Sequence, residues 1–167
     1  MSNKSLSTLV LMADDDLDDC LLVDLAFGIC YPDRELRYVQ NGEELMDWLR
    51  RRGDFADREP KPKPSLILLD LNMPGKDGFD ALKELKEDPH LQDIPVIVFS
   101  TSDREEDISR SYRYGASWFV TKPDSFDTLI KIVKSFSRYL EPAPKKGQHR
   151  TGNRGQRDRE GEAGGIV

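Results

Sequence analysis

Five short apolar runs punctuate the chain: Thr8-Leu-Val-Leu-Met-Ala13, Leu36-Arg-Tyr-Val39, Ser65-Leu-Ile-Leu-Leu69, Pro95-Val-Ile-Val-Phe99 and Trp118-Phe-Val-Thr121. The first is continuous, the mark of a strand covered on both faces, and Leu36-Arg-Tyr-Val39, closed by Asn41-Gly42, reads as the second strand. The segments between the runs read as helices. The first has Leu17, Cys20, Leu21, Leu25 and Phe27 near helical spacing, with acidic residues crowding its first turn, where the helix dipole favours them. Pro32-Asp33 ends it. Glu43 to Arg52 carries Leu45, Met46, Trp48 and Leu49, and Gly78 to Asp88 forms a third helix. Asp103 to Tyr114 is a polar helix with Asp103 as its expected cap. The last helix, Ser125 to Glu141, sets Phe126, Leu129, Ile130, Val133 and Leu140 on one face. Gly53 to Pro64 reads as a loop with prolines at 60, 62 and 64. Strands alternating with helices at these lengths predict a doubly wound, five-stranded parallel α/β fold.

Composition narrows the class. The 167 residues suit one ordinary domain plus some excess, and a mean hydropathy of -0.63 with 34% charged residues marks a water-soluble chain. No apolar run approaches the roughly 20 residues of a membrane span, and Met1 to Thr8 has no secretion-signal pattern. Cys20 and Cys30 form no C-x-x-C or Cys/His cluster, which argues against zinc or a disulfide scaffold and fits a reducing cytoplasm. The net charge of -6 is uneven. Residues 142–167 carry six Lys/Arg against three Asp/Glu, so the rest of the chain stands at -9. That acidic body disfavours nucleic acid as a partner. The glycine- and arginine-rich tail lacks the apolar content to order itself. The expected division is a domain over 1–141 and a disordered tail over 142–167.

Four of the strands run into polar residues: Asp14 and Asp15 after the first, Asp70 after the third, Ser100 after the fourth and Lys122 after the fifth. A doubly wound sheet binds its ligands outside the carboxyl ends of its strands, so these residues are expected to meet. An acidic triplet at a helix start usually caps, and a Ser or Lys-Pro after a strand usually turns the chain. Their joint placement at one sheet edge is what argues for a site. Clustered carboxylates repel one another and are relieved by a cation, and hard oxygen ligands without His or Cys favour Mg²⁺ or Mn²⁺. A carboxylate beside such an ion, an ammonium and a hydroxyl can accept a phosphoryl group. Neither a P-loop nor a dinucleotide-binding glycine motif is present in the sequence.

Leu11-Met-Ala-Asp-Asp-Asp16, Leu68-Leu-Asp-Leu-Asn-Met-Pro-Gly75 with Asp77-Gly78, Val98-Phe-Ser-Thr101 and Gly115-Ala-Ser-Trp-Phe-Val-Thr-Lys-Pro123 together resemble the receiver domain of two-component response regulators. The likeness covers about residues 6 to 141. The long Arg50-to-Pro64 connection and Thr101-Ser-Asp-Arg-Glu-Glu-Asp107 look like the single-domain subfamily that includes cyanobacterial phytochrome response regulators. The resemblance implies a flavodoxin-like fold with strand order 2-1-3-4-5. It implies Asp70 as phosphoacceptor, Asp15 as a direct Mg²⁺ ligand, Asp14 as a ligand through water and Asn72 as a backbone-carbonyl ligand. Ser100 would be the switch hydroxyl, Lys122 the phosphoryl contact and Phe119 the switch aromatic, which lacks the hydroxyl a Tyr would bring.

The resemblance also implies a sensor histidine kinase as phosphodonor, with a phytochrome-type kinase suggested by the subfamily. After Glu141 no helical pattern or catalytic motif follows, so the expected output is protein–protein contact, with a phosphorelay intermediate or phosphate sink as the alternative. A phosphohydrolase of the haloacid-dehalogenase type needs an acid two residues after the nucleophile, and Asn72 stands there. The chain is therefore not expected to be an enzyme beyond supporting its own phosphorylation and slow dephosphorylation. A degenerate receiver is disfavoured because Asp14, Asp15, Asp70, Ser100 and Lys122 are all present. Ile132, Phe136 and Tyr139 form a second apolar stripe on the last helix, which suggests a homodimer through helix 4, strand 5 and helix 5.

Overall fold

Each apolar run becomes a strand of one parallel sheet in a computed structural model that describes residues 9–57 and 63–140. Thr8, Pro60 and Pro62, and the expected tail over 142–167, lie outside the described residues. The elements are β1 (Leu9–Ala13), α1 (Leu17–Cys30), β2 (Glu35–Val39), α2 (Gly42–Arg50), β3 (Leu66–Leu69), α3 (Gly78–Glu87), β4 (Val96–Ser100), α4 (Glu105–Arg113), β5 (Trp118–Thr121), α5 (Phe126–Lys134) and α6 (Ser137–Leu140). A 3₁₀ turn, Gly53–Phe55, follows α2. The sheet order is β2-β1-β3-β4-β5, the expected flavodoxin-like arrangement. In register, Ala13 stands beside both Val39 and Leu69, and Ser100 beside Thr121, so the strands end along one edge.

Alternation along each strand builds two cores. Leu11, Ala13, Ile67, Leu69 and Val98 face α2 and α3, where Leu45, Trp48, Phe79 and Leu82 close over them. Met12, Leu68, Ile97, Phe99 and Val120 face the opposite layer, made by Cys20, Val23 and Phe27 of α1 and Leu129 and Val133 of α5. Each large side chain so buried contributes about 2 kcal/mol. The Tyr31 hydroxyl donates to the carbonyls of Val133 and Lys134, tying the end of α1 to α5.

Three sequence expectations change. The buried face of α1 is Cys20, Val23, Ala26 and Phe27, whereas Leu17, Leu21, Leu22, Leu25 and Ile29 are 46 to 57% exposed. The helix is apolar nearly all round, so its periodicity has no phase from which to read a face. The last helix is broken. The Ser135 N–H closes on the carbonyls of Lys131 and Ile132, and the chain turns before α6. That turn drives Phe136 into the core, 1% exposed, against Phe27 and edge-on to Trp118, while Ile132 and Tyr139 pack on the same cluster. The stripe that suggested a dimer face is therefore core packing. Finally, Asp103 does not cap α4. The Ser102 hydroxyl accepts from Arg104 N–H and donates to the Asp107 carboxylate instead.

Candidate functional site

The sheet ladder runs one residue past three of its strands and so fixes the polar residues that follow. Asp14 N–H donates to the Val39 carbonyl, Asp70 N–H to Ala13 and Lys122 N–H to Ser100, at 3.0, 3.0 and 2.8 Å. Turn chemistry completes the edge. The Asp14 carboxylate accepts from Asp16 N–H, and Asp16 caps α1 by accepting from the N–H groups of Asp18 and Asp19. After β3, Asp70 Oδ1 accepts from Asn72 N–H at 3.3 Å, and Gly75 turns at φ +72°. Gly78 then starts α3 directly over the Asp70 backbone. A Cβ there would lie 2.2 Å from the Asp70 carbonyl oxygen, so only glycine lets α3 approach this closely. The loop between is pinned by Lys76, which pairs with Glu84, itself paired with Arg50 of α2 at 2.7 Å.

The expected residues meet at this edge. Asp14, Asp15 and Asp70 place one carboxylate oxygen each within 4.8 Å of the others. Asp14 and Asp70 are buried and Asp15 is exposed. Lys122 Nζ stands 2.6 Å from Asp14 Oδ2, 2.7 Å from Asp19 Oδ2 and 3.4 Å from Asp70 Oδ2. Ser100 is buried at the end of β4, the strand next to β3, and its hydroxyl accepts from Ser102 N–H at 3.3 Å. Phe119 points into the core beside α3 and α4. Its backbone N–H, on the open edge of β5, donates to the Tyr112 hydroxyl of α4 at 3.2 Å. Asn72 is exposed, one residue beyond Leu71.

Electrostatics follow from burial. Desolvation pushes the Asp14 carboxyl up to about 6, although Lys122 and the Asp16 N–H pull the other way. Burial alone would lower Lys122, but the carboxylates of Asp14 and Asp19, with Asp70 behind them, hold its ammonium above the ordinary lysine range. The Cys20 thiol is pushed up to about 12, mainly by burial and then by Asp14, so it is an inert core group here.

Asp14 Oδ2 is buried and makes no hydrogen bond of acceptable geometry, even with the Lys122 ammonium 2.6 Å away. A buried anionic oxygen in a cluster made of three carboxylates, with neither His nor Cys among its members, fits a hard divalent cation such as Mg²⁺. Beside it lies a cavity of about 80 Å³, lined by Asp19, Leu22, Phe99, Lys122, Pro123 and Phe126 among others.

Asp19 is the site residue that sequence reasoning missed. It stands in an acidic run at a helix start, where capping accounts for acids, and nothing local signals its pairing with a lysine 103 positions away.

A parallel sheet in this order, with acids after β1 and β3, a hydroxyl after β4 and a lysine after β5, defines a receiver. The chain matches the response regulator receiver domain over residues 10–134 and belongs to that family, which works in two-component signalling. It is 35% identical over 130 residues to response regulator Rcp1 of Synechocystis sp., covering 78% of this chain and 86% of that one. Among solved structures, the phosphorylated cyanobacterial phytochrome response regulator RcpA matches with a TM-score of 0.72 at 36% identity, covering 80% of this chain and 94% of that one. The Mn²⁺-bound form of Rcp1 matches with a TM-score of 0.72 at 35% identity, over 82% and 97%.

Proposed function

We propose that this receiver takes a phosphoryl group from a sensor histidine kinase onto Asp70 and signals through protein–protein contacts in the cytoplasm. The observation that carries the reading is the Lys122 ammonium held among Asp14, Asp19 and Asp70 at the carboxyl edge of the sheet. Asp15, Asp14 and Asp70, with the Asn72 carbonyl, would hold Mg²⁺, which when bound neutralises charge on the phosphoryl oxygens. An Asp70 carboxylate oxygen attacks phosphorus, a new P–O bond forms, and the donor's bond to phosphorus breaks with its electron pair leaving on the donor. Lys122 stays protonated throughout and faces the negative charge that arrives. The Ser100 hydroxyl, which accepts from Ser102 N–H, donates its own proton in a hydrogen bond to a phosphoryl oxygen. Phe119 then answers by packing, since it has no hydroxyl. The chain is a signalling protein, with only its own phosphorylation and slow dephosphorylation as chemistry. A phosphorelay intermediate or phosphate sink would use the same steps.

A donor has to bring its phosphorus to bonding distance of Asp70, so it must rest on the surface that borders the site. The exposed row Leu17, Leu21, Leu22, Leu25 and Ile29 begins at that border and is the proposed resting place of the kinase. A phytochrome-type kinase as donor rests on the likeness to Rcp1 and RcpA. Homodimer formation through α4, β5 and α5 rests on the resemblance alone, because Phe136 of the stripe is buried and Ile132 and Tyr139 pack, partly buried, on the core. Light scattering over a tenfold dilution tests it, and an unchanged monomer mass would remove it.

Incubating the full chain with acetyl phosphate and Mg²⁺ tests the central reading. Intact mass should rise by one phosphoryl group, and a chelator should prevent it. No mass gain at saturating donor and Mg²⁺ would contradict the proposal.

A further inference from the structure

Lys122 carries three N–H donors and has three carboxylates around it. They are not equivalent. Asp14 and Asp70 also belong to the cluster that fits a cation. Asp19 does not, and so is the one carboxylate of the three whose whole charge serves the lysine. Its position is fixed from behind. It sits in the first turn of α1, its N–H bonds to the Asp16 cap, and the next residue, Cys20, is anchored in the core. Lys122 is itself only 9% exposed along its side chain. A lysine stem is otherwise a four-carbon chain with several rotamers, and the neighbouring cavity of about 80 Å³ gives the head somewhere to go. The contact to Asp70, at 3.4 Å, is the loosest of the three and lies on the side where a phosphoryl oxygen arrives.

We infer that Asp19 is a positioning residue for phosphoryl transfer: it holds the Lys122 ammonium from the outer side, so that one N–H stays aimed at the group accepted by Asp70. The inference rests on the reading of Asp70 as acceptor and adds a role outside the acceptor, the candidate metal ligands and the lysine. It also separates two effects of the same charge. As a mere addition to the acidic field, Asp19 would repel an anionic donor, and its removal would speed the reaction. As an anchor for Lys122, its removal slows it.

The test is a double-mutant cycle on the full chain with acetyl phosphate as donor. In the reaction Asp70 Oδ forms the bond to phosphorus and acetate leaves with the electrons of the broken bond. Asp19→Asn should lower the rate at saturating donor by about tenfold, the lower range for losing a group that orients a reacting one. The half-saturating acetyl phosphate concentration should not rise. Asp19→Glu should recover most of the loss. On a Lys122→Met background, Asp19→Asn should change nothing further, because the residue acts through the lysine. Calorimetry without donor should show Mg²⁺ affinity within about twofold of the parent, since Asp19 lies outside the cluster. In metal-free protein, the Lys122 ammonium signal in a ¹H–¹⁵N spectrum should be visible in the parent and broadened in Asp19→Asn. If the amide disturbs folding, Asp19→Ser carries the same cycle. A rate in Asp19→Asn equal to or above the parent's would overturn the inference. So would an equal loss with and without Lys122. Neither result touches Asp70 as acceptor, which the mass gain of the parent decides separately.

Discussion

Asp14 puts an acid where water cannot reach it, and the cost depends on pH. Its folded-state value of about 6 lies above the ordinary 3.8, so the native chain binds the proton more tightly than the unfolded chain. The destabilisation is therefore absent below the unfolded value, grows between about 4 and 6, and is complete above that. Metal-free Asp14→Asn should be more stable than the parent at pH 7.5, by on the order of 2 kcal/mol. That gain should shrink toward zero near pH 3.5. Urea denaturation at the two pH values measures it, and a gain that persists unchanged in acid would refute the assignment. Asp15, exposed at the mouth of the cluster, should matter to the cation instead. Calorimetry should find Mg²⁺ binding weakened in Asp15→Ala and hardly altered in Asp57→Ala, an exposed acid outside the cluster. The placement of the candidate residues Asp14, Asp15, Asp70, Ser100 and Lys122 at one edge was legible in sequence because each stands at the end of a strand run. Asp19 was not, since a pairing across 103 positions leaves no local mark.

At the scale of elements, the strands and their edge were readable and the helix faces less so. A short uninterrupted apolar run bounded by polar and turn residues says strand. A face needs contrast, and α1 has leucines on both sides: Val23 and Phe27 are buried while Leu21 and Leu25 stand in water. The last helix failed for another reason. One turn at Ser135 shifts the phase, so residues beyond it no longer follow the wheel drawn for a continuous helix. The two corrections predict opposite sensitivities. Phe136→Ala should cost about 3 kcal/mol or more of stability, as for other buried aromatics. Leu25→Lys should stay within about 0.5 kcal/mol of the parent. Urea midpoints compare them directly, and a Leu25→Lys loss as large as that of Phe136→Ala would return the α1 row to core packing. Function gives a second contrast. Leu21→Lys and Leu25→Lys should leave labelling by acetyl phosphate unchanged yet slow transfer from the cognate kinase. Equal rates from the kinase would remove α1 as its resting place.

Among the described residues, one edge of the five-stranded sheet gathers charge and is flanked by elements joined to it by hydrogen bonds. Ser102 shows how tightly these are joined. Its N–H holds the Ser100 hydroxyl, its own hydroxyl reaches Asp107 in the first turn of α4, and its carbonyl accepts from the Thr121 hydroxyl of β5. Ser102 thus links Ser100 to α4 and β5 through an unbroken set of hydrogen bonds. Residues 142–167 are poor in apolar side chains and hold none of the candidate site residues, so a chain ended after Glu141 should keep the parent's phosphorylation rate and melting temperature; a drop of several degrees would contradict this. The claim on which the rest depends is that Asp70 accepts the phosphoryl group. Intact-mass spectrometry of the parent and Asp70→Asn, each with acetyl phosphate and Mg²⁺, tests it most directly. One added phosphoryl group is expected in the parent and none in the variant, whereas equal labelling of the two would contradict Asp70 as the acceptor.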